Sequence, residues 1–92
     1  MINLFHAISQ LKDKHECERF FKDLCTPQEV EEMQGRWLVC QMLAKGEKSY
    51  REISEEAGIS LATITRVARF LRNEPYKGYK LMLKRLGVKD RD

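Results

Sequence analysis

Ninety-two residues, 34% charged and 42% hydrophobic, have the size and composition of one small domain. The sequence has no run of 18 apolar residues and no basic leader before an apolar stretch, which argues against a transmembrane helix and a secretory signal. Three cysteines without a CxxC spacing favour reduced thiols, so we expect a cytoplasmic protein. We predict one domain over residues 1–92, with no membrane partner, no metal and no cofactor.

Charge is distributed unevenly along the chain. Residues 1–34 carry a net charge of −3, and residues 35–92 carry a net charge of +6. A positive half is typical of proteins that bind an anionic partner. The asymmetry alone is weak evidence, because many protein surfaces are unevenly charged.

Helix signals divide the first half of the chain into three predicted helices. Apolar residues recur at helical spacing over residues 4–11 and predict the first helix. Asp13 and Thr26, each followed three residues later by a glutamate, predict the starts of the second and third helices, and the third ends at Gly46. We predict that residues 1–46 form a helical dimerisation body, because a chain this short buries little apolar surface by itself.

Three further helices are predicted in the second half. Ser49 and Ser60 are helix caps, and Gly58 between them can adopt the left-handed conformation that ends a helix. A last helix is predicted over roughly residues 79–86, inside a C-terminal element at 76–87. The sequence therefore predicts an all-α fold of six helices that ends in a frayed tail.

Residues 49–73 have the helix-turn-helix pattern of two short helices joined by a turn with a glycine. Ile53, Ile64 and Val67 are the predicted hydrophobic anchor that fixes the angle between the helices. The outward positions of the second helix are Leu61, Ala62, Thr65 and Arg69. Short or apolar side chains there allow close approach to a DNA groove, where a threonine can bond a base edge.

Three arginines, at positions 66, 69 and 72, follow with no acid until Glu74. Guanidinium groups around one helix could hold the phosphates that flank a groove. Two amphipathic helices with a glycine turn also occur in bundles that touch no DNA, and an arginine run is often only a solvated face. The pattern favours DNA binding over a plain helical hairpin.

An enzyme is not indicated, because the sequence has no nucleophile–base pair, no metal-ligand spacing and no phosphate-binding loop. His6 and His15 lie in the predicted dimer body. The competing interpretation is a protein-interaction module that keeps the fold without reading an operator. Glu52, Glu55 and Glu56 in the first helix of the motif support it modestly, because they weaken the positive field near DNA.

Three segments resemble the tryptophan repressor family, and specifically its YerC/YecD-like branch. They are "TPQEVEEMQGRW" from position 26, "GEKSYREISEEAGISLATITR" from position 46, and "NEP" from position 73. The resemblance covers about residues 24–86 in unbroken register. It implies an intertwined homodimer in which each subunit binds double-stranded DNA through its helix-turn-helix.

The resemblance also implies roles for individual residues. Arg51 corresponds to a residue at the edge of the major groove, Arg36 to an arginine near both the ligand pocket and a phosphate, and Arg66 to the arginine that stacks on the indole of bound tryptophan. The predicted DNA-binding residues are Arg51, Ser60, Leu61, Ala62, Thr65, Arg66, Arg69 and Arg36. The predicted remnant of the ligand pocket is Arg36, Thr63, Arg66, Val67 and Phe70.

Two departures from the family pattern bear on the ligand. Val67 stands where the repressor has a glycine, and Phe70 stands where it has a serine that faces the amino group of the ligand. Bulk inserted into a tight site costs about 1–3 kcal/mol, and a lost polar partner adds to that. We therefore expect that tryptophan is not the corepressor. Simple core packing explains the same two residues, and an unidentified small-molecule effector stays open.

Overall fold

The computed structural model describes residues 1–91, which form six α-helices and no strand. The helices are α1 (Leu4–Ile8), α2 (Lys14–Leu24), α3 (Pro27–Lys45), α4 (Tyr50–Ala57), α5 (Leu61–Arg72) and α6 (Gly78–Arg85). The predicted all-α fold with six helices is confirmed. Within the described residues, no helix has both the length and the apolar composition needed to cross a membrane.

The predicted caps start α2 and α3. The Asp13 carboxylate accepts the Glu16 backbone N–H at 2.8 Å. The Thr26 hydroxyl accepts the Glu29 N–H at 3.1 Å, and the Glu29 carboxylate accepts the Thr26 N–H at 2.8 Å. These side chains bond backbone N–H groups that have no partner inside the helix. The cap residue and the glutamate three positions later were therefore enough to predict each helix start.

Two helices differ in their boundaries from the sequence prediction. Helix α1 ends at Ile8, so Leu11 lies outside it, and the Ser9 hydroxyl donates to the His6 carbonyl at 2.6 Å in its last turn. A serine that bonds the backbone locally favours the end of a helix over its continuation. Helix α6 begins at Gly78 and ends at Arg85, one residue earlier at each end than predicted.

The chain divides into two compact units, the first formed by Met1–Glu32. No side chain of this unit is buried. The rings of Phe20 and Phe21 pack edge to face with centroids 5.9 Å apart. Exposed large apolar side chains here are Met1, Ile2, Leu4, Phe5 and Leu24.

The second unit begins at Met33 and contains the core. Helix α4 packs against α5, and α5 packs against α6. The buried side chains are Val39, Cys40, Ala44, Ile53, Ile64, Val67, Leu71 and Leu83. The predicted anchor of the motif, residues 53, 64 and 67, is therefore inside the core. Trp37 is half-buried and stacks on Tyr79, with ring centroids 6.4 Å apart.

Residues 88 and 91, which follow α6, are hydrogen-bonded to the second unit, so the predicted frayed tail is wrong for the described residues. The Val88 N–H donates to the Leu83 carbonyl at 2.8 Å, and the Arg91 N–H donates to the Ala44 carbonyl at 3.0 Å. Both bonds join residues that follow α6 to helical carbonyls.

Candidate nucleic-acid interface

Helix α4 begins with a complete capping box. The Ser49 hydroxyl accepts the Glu52 N–H at 3.1 Å, and the Glu52 carboxylate accepts the Ser49 N–H at 2.9 Å. Bonds from the backbone and then the side chain of Ser49 lower the pKa of Glu52. The carboxylate of Glu52 is thus hydrogen-bonded at the start of α4. Arg51, the preceding residue, is exposed.

The turn between α4 and α5 is built on Gly58, which has φ 67° and ψ 33°. Its N–H donates to the Ser54 carbonyl at 3.0 Å, and the Ser54 hydroxyl donates to the Ile59 carbonyl at 2.6 Å. Only glycine adopts this backbone conformation without cost. The sequence reasoning missed Ser54, because a serine in the middle of a helix gives no signal that it bonds the following turn.

Gly35 of α3 leaves room for the turn. A Cβ built on Gly35 would lie 3.1 Å from Cδ1 of Ile59. The missing side chain lets the tip of Ile59 approach the long helix closely. Ile59 therefore fixes the turn of the motif against α3.

Ser60 caps α5 and is engaged with Thr63. Its hydroxyl accepts the Thr63 N–H at 3.2 Å and donates to the Thr63 hydroxyl at 3.0 Å. Both residues were predicted as site residues, and the structure brings them together at the start of the helix. A base or phosphate contact by Ser60 would compete with this cap.

Helix α5 has one buried and one exposed face. Ile64, Val67 and Leu71 are buried. The exposed predicted site residues on this helix are Leu61, Ala62, Thr65, Arg66 and Arg69. Leu61 is 48% exposed although it is apolar. No Asp or Glu occurs in α5, so its exposed face is neutral at the beginning and positive towards the end.

The arginines differ in their surroundings. Arg69 is exposed and lies 3.7 Å from a Glu74 carboxylate oxygen, and such exposed pairs are weak enough to yield to a phosphate. Nη1 of Arg72 donates to both carboxylate oxygens of Asp90 at 2.8 Å. This pairing argues against the phosphate contact expected of Arg72. Arg36 is half-buried.

Arg66 and Phe70 form the centre of an aromatic cluster. Cζ of Arg66 lies 4.2 Å from the centroid of the Phe70 ring, and Cζ of Arg69 lies 5.0 Å from it. The Tyr76 ring stacks on Phe70, with centroids 6.3 Å apart and planes at 11°. Val67, which was also predicted as a pocket residue, is 1% exposed. The structure thus places Phe70 among cations and Val67 in the core.

Two ionisable side chains, one in the core and one packed against it, have raised pKa values. Burial, and then the charge of Asp90, raises the pKa of Cys40 to about 11. Burial also raises the pKa of Tyr79, against the opposing charges of Arg36 and Arg66. Both side chains are therefore neutral at neutral pH. Among residues 1–91, no three His, Cys, Asp or Glu side chains could hold a metal ion.

The family model described as "Trp repressor protein" matches residues 1–87. The chain belongs to the Trp repressor family. The match covers all six helices. The resemblance predicted from the three sequence segments is therefore confirmed.

Individual members of the Trp repressor family are similar over most of the chain. The uncharacterized protein YerC of Bacillus subtilis is 45% identical over 83 residues, which are 90% of this chain and 78% of that protein. A Trp operon repressor homolog of Vibrio campbellii is 37% identical over 67% of this chain and 62% of its own length. The YerC match agrees with the predicted branch.

Two solved structures of this family have the same fold. The crystal structure of a candidate Trp repressor from Staphylococcus aureus has a TM-score of 0.87 and 36% identity, covering 96% of this chain and 86% of that one. A TrpR-like protein from Eubacterium eligens has a TM-score of 0.84 and 40% identity, covering 96% and 89%. Family membership supports a DNA-binding regulator.

Proposed function

We propose that the chain is a sequence-specific transcriptional repressor that binds a palindromic operator as a homodimer and does not use tryptophan as corepressor. The observation that carries the proposal is the construction of α5. Its buried face is locked into the core, and its exposed face combines Leu61, Ala62 and Thr65 with Arg66 and Arg69. Small or apolar side chains allow close approach to base edges, and the arginines supply phosphate contacts. The DNA partner implies a cytoplasmic location.

The homodimer is supported by the first compact unit. Residues 1–32 hold several exposed apolar side chains and no buried one, and Phe5 alone is 76% exposed. A second copy would cover such surface and would present two helix-turn-helix motifs. Two half-sites would then lie about one helical turn, roughly 34 Å, apart.

Independence from tryptophan is supported by the contacts of two residues. The ring of Phe70 lies under the guanidinium of Arg66, in a position to engage it as an aromatic ligand would. Val67 fills space in the core that a glycine would leave empty. Both contacts come from the chain itself, so the site needs no added aromatic molecule to be complete.

Selection of bound duplexes from a random DNA library, at physiological salt and without added ligand, tests operator reading. An enriched palindrome is the expected result, because a symmetric dimer selects a symmetric site. Salt-sensitive binding without enrichment would contradict the proposal and favour either a missing effector or the protein-interaction module.

Calorimetry with free tryptophan tests the corepressor separately. We expect no heat of binding at micromolar concentrations of tryptophan, and an operator affinity that tryptophan leaves unchanged. Micromolar binding would overturn this part of the proposal while leaving operator reading intact. Whether the chain represses is tested in cells with the selected operator placed over a promoter.

A further inference from the structure

The residues after α6 are fastened to the end of the long helix. The Arg91 N–H donates to the Ala44 carbonyl at 3.0 Å, and Nη1 of Arg91 lies 3.4 Å from the Lys45 carbonyl oxygen. The last four carbonyls of a helix have no partner within it and carry partial negative charge, so a backbone N–H and a guanidinium suit them. Residues 88–91, called here the C-terminal strap, thereby cap α3.

The same segment holds the end of α5. Nη1 of Arg72 donates to both carboxylate oxygens of Asp90 at 2.8 Å. The side chains are only 24% and 20% exposed, so solvent and salt screen this pair less than the Arg69–Glu74 pair. Arg72 is the last residue of α5, and Asp90 is one residue before Arg91. The strap therefore connects the C-terminal ends of α3 and α5.

Hydrophobic packing adds to the attachment. Val88 is half-buried and packs against the core, and its N–H donates to the Leu83 carbonyl at 2.8 Å. Cδ of Arg91 lies 3.1 Å from where a Cβ on Gly46 would be, so the Arg91 side chain follows the end of α3 closely. The strap is thus held at Val88, Asp90 and Arg91.

The opposite end of α5 is the end that would read bases. Helix α5 has 12 residues and is about 18 Å long, so a tilt of about 5° around its C-terminal end moves its first residue by about 1.5 Å. Binding constellations tolerate displacements of about 0.5 Å. Loss of the attachment at Arg72 would therefore displace Leu61, Ala62 and Thr65 relative to a groove.

We infer that the C-terminal strap orients the recognition helix, and that Asp90, acting through Arg72, is a positioning residue for sequence discrimination. The inference rests on the proposed function of α5 in reading DNA. Asp90 itself touches no base in this scheme. Its effect is to hold the C-terminal end of α5, and thereby the direction of the helix axis.

General electrostatics and a positioning role predict changes in different quantities. Removing the negative charge of Asp90 should by itself strengthen binding to any duplex, because the protein becomes more positive. A positioning role predicts poorer discrimination between operator and random DNA. The quantity to measure is therefore the dissociation constant for random DNA divided by that for the operator. Both constants are measured at a temperature where every variant is folded.

Asp90→Asn is the test variant and Glu47→Gln is its control, because both remove one negative charge and Glu47 is exposed in the turn after α3. We expect Asp90→Asn to lower the ratio about five-fold or more, the lower range for one mismatched base pair. Glu47→Gln should leave the ratio within about two-fold of the unaltered protein, and Asp90→Glu should recover most of the loss. Arg72→Gln should also lower the ratio, and the double variant Arg72→Gln/Asp90→Asn should lose less than the sum of the two single losses, since both substitutions break the same pair.

Equal ratios for Asp90→Asn and the unaltered protein would overturn the inference, as would an equal loss in Glu47→Gln. Additive losses in the double variant would also overturn it, because Asp90 would then not act through Arg72. If the unaltered protein selects no operator at all, that result would contradict the proposed function instead. The two failures are distinguishable because the ratio is measured only after the unaltered protein has selected its operator.

Discussion

The guanidinium of Arg66 and the ring of Phe70, four residues apart on α5, are in contact, with Cζ 4.2 Å from the ring centroid. Residues four apart on a helix are neighbours on its surface, so the helical backbone itself brings this pair together. The Tyr76 ring extends the pair beyond the end of α5. An aromatic group of the chain itself thus engages an arginine of the candidate interface.

Phe70→Ala should lower the free energy of unfolding by about 1–3 kcal/mol. The loss is below the about 3–5 kcal/mol of a fully buried phenylalanine, because Phe70 is only half-buried. It includes the contacts of the ring with Arg66 and Tyr76. Urea unfolding followed by circular dichroism measures the change. Phe70→Leu, which keeps apolar volume but no ring, should lose less than Phe70→Ala, and no loss at all in Phe70→Leu would show that the ring contacts add nothing.

Arg51→Ala and Arg69→Ala should affect DNA binding differently. We expect Arg51→Ala to cost about 1–3 kcal/mol on the operator and little on random DNA, because a base contact carries the discrimination. Arg69→Ala should weaken both duplexes alike and flatten the salt dependence by about one unit of slope, as a phosphate contact does. Fluorescence anisotropy at several salt concentrations measures both. Lys14→Ala, at a side chain 92% exposed, is the charge-matched control and should leave discrimination unchanged.

Gly58→Ala should cost about 1 kcal/mol or slightly more of stability, because φ of 67° is unfavourable for a residue with a Cβ. No described atom lies within 4 Å of the added Cβ, so the cost is conformational and not a clash. Gly58→Asn should cost less, since asparagine tolerates this conformation. Gly78→Ala has equal space and an ordinary φ, and thermal unfolding of that control should show no loss.

Acid should weaken the start of α4. The pKa of Glu52 is lowered from 4.5 in the folded chain by its bonds with Ser49, so its contribution to stability is complete above pH 4.5 and is lost as the pH falls through the folded value. Melting temperatures recorded between pH 7 and pH 3 should fall less steeply in Glu52→Gln than in the unaltered protein. The control Glu55→Gln, on the same helix, should keep the original slope. Identical slopes in all three would contradict the capping role.

Cys40 should resist alkylation in the folded protein. A pKa of about 11 leaves few thiolates at pH 8, and the thiol is buried. In a Cys17→Ser/Cys25→Ser variant, mass spectrometry should detect iodoacetamide at Cys40 only after urea is added. Because burial raises this pKa above 9.0, stability should fall as the pH rises from 9.0 towards 11, and Cys40→Ala should reduce that slope. Rapid modification without urea would contradict the burial.

The local signals in the sequence predicted the helix starts correctly. Asp13, Thr26, Ser49 and Ser60 each bond a backbone N–H three residues ahead, so the partner is visible in a short stretch of sequence. Gly58 likewise needs only its own φ. Helix periodicity also identified Ile64 and Val67 as buried positions of α5, because one helix turn repeats whatever the tertiary contacts.

The contacts that the sequence did not predict join residues far apart in the chain. Arg72 was expected at a phosphate and pairs with Asp90, 18 positions later. Residues 89–92 were expected to fray, although Arg91 bonds carbonyls of residues 44 and 45. Neither partner lies within a helical turn of the other, so no periodicity or cap pattern marks them. The DNA and pocket residues stay predictions, since exposure and proximity do not demonstrate a bound partner.

No side chain of residues 1–32 is buried, and this makes the proposed dimer depend on the concentration of the chain. Under the proposed homodimer, the apolar surface of that unit is covered when two chains meet. While single chains predominate, the amount of dimer follows the square of the amount of chain, so halving expression leaves about a quarter of the dimer. Operator occupancy then responds steeply to gene dosage, and the number of molecules per cell becomes a control variable without any effector.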